Sequence, residues 1–327
     1  MRLFLFIPII FFSFLLTAQK AVNLDSLYLK FRKQLFTGDT GAWQKLKMLE
    51  DLSATDKVAR VYFRLAKADS YMQEGEREQA FGSCVDAMDI AKKLNSDSLL
   101  FRVYYKMGSV YMRFSDLPHA LPYLNKAILL IRSVKNLDDQ ILLYKDIALL
   151  NSYLDRNKEA IGYFLKMEPL ILQTGNKNYL GNMYNNMGVI YVDLLDSAKA
   201  LYYYRKSLEL RKEINDLNGV GQVHNNFGSL YYNWKQYDRA LEFYKQGLEL
   251  RRKSKGPLTG EIESNINIGK TYYKLNEVAK AKQYLEAARQ ETVKQGLIEL
   301  ERRANEELLG IYSAGGHFKK AFEFQGR

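Results

Sequence analysis

One cysteine, two tryptophans, three histidines and five prolines in 327 residues set the first limits on this chain. The single thiol, Cys84, has no second cysteine to pair with, so no internal disulfide staples the fold. The histidines His119, His224 and His317 stand far apart in the chain. None has a cysteine or second histidine at ligand spacing, which argues against a metal site. So few prolines leave room for long uninterrupted helices. Catalytic signatures are missing too. There is no Gly-rich dinucleotide turn and no nucleophile motif. The run Asn265-Ile266-Asn267-Ile268-Gly269-Lys270-Thr271 ends like a phosphate-binding loop, but it lacks the glycine required five residues before Gly269 and follows no strand. Acidic pairs such as Glu306-Glu307 fall on regular helical patterns, where they read as solvated faces. These absences point to binding without a cofactor rather than to an enzyme.

What is present is apolar residue in helical rhythm. Apolar residues make up 47% of the chain and charged residues 26%, which excludes a disordered or fibrous chain. Twenty-four tyrosines recur at helical positions and read as packing with the hydroxyl at the core edge. The formal charge of +11 permits acidic partners, but the basic residues are dispersed. The densest run, Arg251-Arg252-Lys253, closes a predicted helix, where cations suit the negative end of the dipole. No basic stripe interleaves with stacking aromatics outside the repeat positions, so nucleic acid is not the expected partner. No small-molecule substrate is evident either.

Residues 1–19 resemble a secretory signal peptide. Met1-Arg2 precedes an apolar run from Leu3 to Leu16, too short to span a bilayer comfortably, and then Thr17-Ala18-Gln19-Lys20. Cleavage is expected after Ala18 or Gln19, which would place the mature chain in the periplasm. No cysteine lies near that point, so a lipoprotein signal is excluded. The alternative is an uncleaved anchor in the inner membrane.

Residues 21–60 read as two helices, one carrying Leu24, Leu27, Phe31 and Leu35, the other Trp43, Leu46 and Leu49, broken by Thr37-Gly38-Asp39-Thr40-Gly41. They lack the later repeat signals and are expected to cap the array. From residue 61 to 327 a period of forty takes hold. Small residues fall at Ala68, Gly108, Ala148, Gly188, Gly228, Gly269 and Gly310. Three places later comes a tyrosine, at Tyr71, Tyr111, Tyr191, Tyr231 and Tyr272, with Asn151 breaking the series. Twelve places after the small residue sits an alanine, from Ala80 through Ala120, Ala160, Ala200 and Ala240 to Ala281. Turn chemistry such as Glu74-Gly75-Glu76 lies between. Each unit is therefore read as a helix, a tight turn and a second helix, with the small residue opposite the alanine so that the axes approach closely, and with the flanking tyrosine and Phe164 or Tyr244 filling the space beside that contact. About seven units are expected, the last read as stopping within its second helix, which would leave its apolar end uncovered.

Tyr184-Asn185-Asn186-Met187-Gly188-Val189-Ile190-Tyr191 and its echo His224-Asn225-Asn226-Phe227-Gly228-Ser229-Leu230-Tyr231 carry a resemblance to tetratricopeptide repeats. The long period and the paired asparagines resemble the subclass found in kinesin light chains and bacterial peptide-sensing regulators. The resemblance implies an all-α fold, a right-handed superhelical α-solenoid whose first helices line a groove. It implies groove positions at Asn182, Asn185, Gln222, Asn225, Ser229, Asn233, Lys270 and Lys274. Asparagines there could bond the backbone of an extended peptide, and the lysines could meet a carboxylate. Asn186 and Asn226, one place round the helix, are expected to bond neighbouring helices instead. Three functions remain open: an exported scaffold or adaptor for a protein or peptide segment, the extracytoplasmic sensor region of a histidine-kinase signalling protein, and an intracellular regulator contacting nucleic acid.

Overall fold

The computed structural model describes residues 22–324. The expected export signal and its cleavage point lie outside the described residues. The chain is an all-α solenoid of successive helix pairs, and it divides into two compact units, residues 1–136 and 137–327. In the first, α1 (Leu24–Thr37) pairs with α2 (Gly41–Ser53), α3 (Lys57–Glu74) with α4 (Arg77–Lys93), and α5 (Asp97–Arg113) with α6 (Leu117–Leu129), followed by a 3-10 turn at Ile131–Ser133. The second holds α7 (Leu137–Tyr153) with α8 (Asn157–Thr174), α9 (Lys177–Asp193) with α10 (Ser197–Glu213), and α11 (Leu217–Asn233) with α12 (Tyr237–Ser254). It continues with α13 (Leu258–Lys274) and α14 (Val278–Gln295), then α15 (Ile298–Ala314) and the short α16 (Phe318–Phe322). The pair expected to cap the array, residues 21–60, is built into the first unit, where α1 packs on both α2 and α3.

Local chemistry sets the helix ends. The side chains of Asp56, Ser96, Asn176, Asp196 and Asp216 accept backbone N–H bonds from the first turns of α3, α5, α9, α10 and α11. At the turn inside each pair one residue takes a left-handed conformation, among them Ser115, Asp155, Leu195, Lys235 and Asn276. The next N–H then reaches back to close the helix: those of Asp116, Asp196, Gln236 and Glu277 donate to the carbonyls of Tyr111, Tyr191, Tyr231 and Tyr272 at 2.9 Å. Arg156 makes the same bond to Asn151 at 2.8 Å, so the turn needs the carbonyl at this place and not the ring.

The ring has a separate task. Tyr191 stacks on Tyr203 with centroids 5.4 Å apart, and Tyr231 on Phe243 at 5.2 Å, each pairing first helix to second. The repeat alanines from Ala80 to Ala281 are fully buried. The expected approach of small residue to alanine is close in two repeats, where a Cβ at Gly108 would sit 3.4 Å from the Ala120 carbonyl oxygen and one at Gly269 would sit 3.2 Å from that of Ala281. The residue four places after the alanine lies on the glycine: Leu124 over Gly108, Tyr204 over Gly188, Tyr244 over Gly228 and Leu285 over Gly269. Side chains on a helix lean toward its N-terminus, so the one standing a turn beyond the alanine reaches back across the contact. Cys84 holds this same place in α4, and burial pushes its thiol up to about 12.

Candidate peptide-binding face

In the second unit the first helices of neighbouring repeats touch directly, α9 with α11 and α11 with α13. Adjacent helices are stitched by side-chain amides. Asn226 Nδ2 donates to Asn185 Oδ1 at 2.7 Å, and Asn267 Nδ2 to Asn225 Oδ1 at 3.3 Å. Asn185 is 2% exposed and Asn225 8%. The expectation separated these two, as groove residues, from Asn186 and Asn226 as helix-to-helix residues; instead one bond takes a residue from each class. The cause is the same lean of side chains, which brings a position on α9 against one a residue further along its repeat on α11.

The remaining residues of the expected groove divide by what holds them. Asn182 and Gln222 are exposed, and their amide oxygens both face Arg211 of α10, whose Nη2 lies 2.5 Å from Asn182 Oδ1 and 3.4 Å from Gln222 Oε1. Arg211 is itself buried and spends its other donors on Ser207 Oγ at 3.2 Å and Asp216 Oδ2 at 2.5 Å. Ser229 turns inward, accepting from the Tyr244 hydroxyl at 3.0 Å and donating to the Asn225 carbonyl at 3.2 Å. Lys270 is half-buried, 5.0 Å over the Tyr232 ring and 3.5 Å from the Glu307 carboxylate. Asn233 and Lys274 are exposed at the ends of α11 and α13. Beside Lys270, the Tyr232 hydroxyl is buried and has no hydrogen-bond partner among the described residues. Burial, and then Glu307, push its ionisation upward, so it stays a neutral donor.

Repeat profiles converge on the same stretch. A tetratricopeptide repeat profile matches residues 179–253, and a second matches residues 262–288. These stretches are tetratricopeptide repeats. The fold of the chain is similar to that of the apo form of RapI, at a TM-score of 0.69 and 15% identity over 92% of this chain and 95% of that one. It is similar to NprR in complex with its cognate peptide NprX, at a TM-score of 0.67 and 15% identity over 93% of this chain and 88% of that one. Aspartyl phosphate phosphatase F from Bacillus subtilis gives a TM-score of 0.67 at 13% identity over 95% of this chain and 84% of that one. At these identities the likeness is one of fold. No curated protein sequence matches this chain.

Two features of the tetratricopeptide array were not found by sequence reasoning. Arg211 and Arg251 hold the same place in successive second helices, and glycines make room for both: a Cβ at Gly181 would sit 3.4 Å from Arg211 Cγ, and one at Gly221 would sit 2.9 Å from Arg251 Cγ. Arginines forty apart, each matched by a glycine forty apart, were a legible signal. The other feature lies in the first unit, where Asp69 of α3 is fully buried. It receives the Lys106 ammonium, the Tyr28 hydroxyl at 2.9 Å and Arg32 Nε at 3.4 Å. Burial, and then the Arg32 charge, push Lys106 down to about 8, while Asp69 pulls the other way. Charged residues beside the small-residue positions marked this cluster, but three helices had to be assembled before they met. Among the described residues no group of three or more His, Cys, Asp or Glu could hold a metal ion, and no helix is long and apolar enough to cross a membrane.

Proposed function

We propose that this protein is an exported, non-catalytic tetratricopeptide scaffold that holds an extended peptide or protein segment along α9, α11 and α13. One observation carries the reading. Arg211 takes the amide oxygens of Asn182 and Gln222, which orients both amides: Asn182 spends one N–H on Asn178 Oδ1 at 3.1 Å, and its second N–H and those of Gln222 are left as donors on adjacent repeats. An extended backbone offers carbonyls at a regular interval, and a match of that kind is indifferent to side-chain identity. Lys274 and Asn233 extend the row. The similar fold of NprR, solved with its cognate peptide NprX, supports the reading. Export, and with it a periplasmic location, rests on the composition of residues 1–19.

A random peptide library displayed against the purified chain tests the proposal. Enriched peptides should bind the wild type and lose about tenfold or more in affinity against Asn182→Ala with Gln222→Ala, since two polar anchors go at once. Equal affinity for that variant, or no enrichment at all, would remove this face from the account. N-terminal sequencing of the chain from the envelope fraction should begin at Gln19 or Lys20. A chain beginning at Met1 would count against export with cleavage.

A further inference from the structure

Among the second helices from α4 to α14, one is short. Whereas α4, α8, α10, α12 and α14 run 17 or 18 residues, α6 stops after 13, and the 3-10 turn at Ile131–Ser133 and the segment to Asn136 follow in its place. Against that segment two cavities adjoin within the first unit. One, of about 330 Å³, is lined by Tyr62, Ser98, Arg102 and Lys135; the other, of about 440 Å³, by Asn23, Ser26, Lys30 and Lys33. They share Asp25 and Asn136. A break in an otherwise regular pattern that opens a polar hollow is where a binding function is to be sought.

The charge of the hollow is one-sided. Arg102 Nη2 lies 2.8 Å from Asp25 Oδ1, the Tyr62 hydroxyl also donates to that carboxylate, and the guanidinium lies over the Tyr62 ring, so acid and arginine neutralise each other. Lys30, Lys33 and Lys135 are all exposed and have no carboxylate partner among the described residues. The first turns of α1 and α5, with Ser26 and Ser98, add the positive ends of two helix dipoles, offset in part by the acids Asp25 and Asp97 in those same turns. Leu29 and Val134 are the only aliphatic side chains in the two linings, which disfavours an apolar ligand.

We propose that this double cavity binds a small organic polyanion, one carrying at least two carboxylate or phosphate groups spaced to reach Lys135 from one cavity and Lys30 with Lys33 from the other. The site is independent of the peptide-binding face. Isothermal titration of the full chain at low salt with citrate and, separately, pyrophosphate distinguishes carboxylate from phosphate chemistry. At least one should bind, more weakly as salt is added. Lys33→Glu and Lys135→Glu should each weaken it about tenfold or more, because reversing one of three uncompensated cations turns an attraction into a repulsion. Lys235→Glu, an equal charge change in the second unit, should leave affinity unaltered. Circular dichroism checks that each variant keeps its helices. Failure of both anions to bind, or an equal loss with Lys235→Glu, overturns the proposal.

Discussion

Replacing Gly228 by alanine sets two known effects against each other. A Cβ built there would lie 2.6 Å from Tyr244 Cδ1, 2.7 Å from Cε1 and 3.0 Å from Cγ. Carbon atoms in good contact sit about 3.5 to 4.0 Å apart, so the ring would have to retreat by roughly 1 Å. It has nowhere easy to go: Tyr244 is 3% exposed and its hydroxyl is tied to Ser229. Overpacking of this kind costs about 1 to 3 kcal/mol. Alanine in a helix interior gains about 1 kcal/mol over glycine, so the net change alone would be hard to interpret. Gly162 in α8 supplies the control, since nothing lies within 4 Å of its would-be Cβ. Gly162→Ala should therefore show the propensity gain by itself, and the difference between the two variants isolates the contact at about 1 to 3 kcal/mol. Urea unfolding followed by circular dichroism reads that difference, and thermal midpoints should separate by roughly 2 to 4 °C per kcal/mol for a unit of this size. If both substitutions stabilise equally, the aromatic does not rest on the glycine and the packing account of the repeat fails.

The buried charges of the first unit give two further tests. Asp69→Ala strands the Lys106 ammonium without its carboxylate and should cost about 3 to 5 kcal/mol, whereas Asp69→Leu with Lys106→Met should fall much closer to the wild type. A cost below about 1 kcal/mol for the single change would mean that the pair is solvated. Lys106 also fixes a pH dependence. Its folded value near 8 lies below the ordinary lysine value of 10.5. Between those limits the unfolded chain holds the extra proton, so stability should rise with pH from about 8 to 10, by up to about 3 kcal/mol. Denaturant midpoints at pH 7.5 and 9.5 should show that rise in the wild type and lose it in Lys106→Met; the same slope in both would refute the assignment.

The helical class, the forty-residue beat and the helix pairs joined by turns were legible in the sequence. Each depends on chemistry local to one helix or one turn, such as an Asp at an N-cap or a tyrosine carbonyl closing the last turn. The positions of the small residues were legible for the same reason, because a period along one chain reports a face. That Tyr244 shares the space beside Gly228 was legible too. That its ring lies directly on the glycine was not, because its direction depends on the lean of Cα–Cβ bonds on a second helix. The amide row was visible as Asn185, Asn225 and Asn226, but its division into bonded and exposed groups waited on how far α11 slides along α9. The cluster around Asp69 draws on α1, α3 and α5, and the hollow beside α6 exists because a helix stops early. Local sequence decides which rods form. The packing of one rod on another decides which polar groups are spent inside and which are left to meet a ligand.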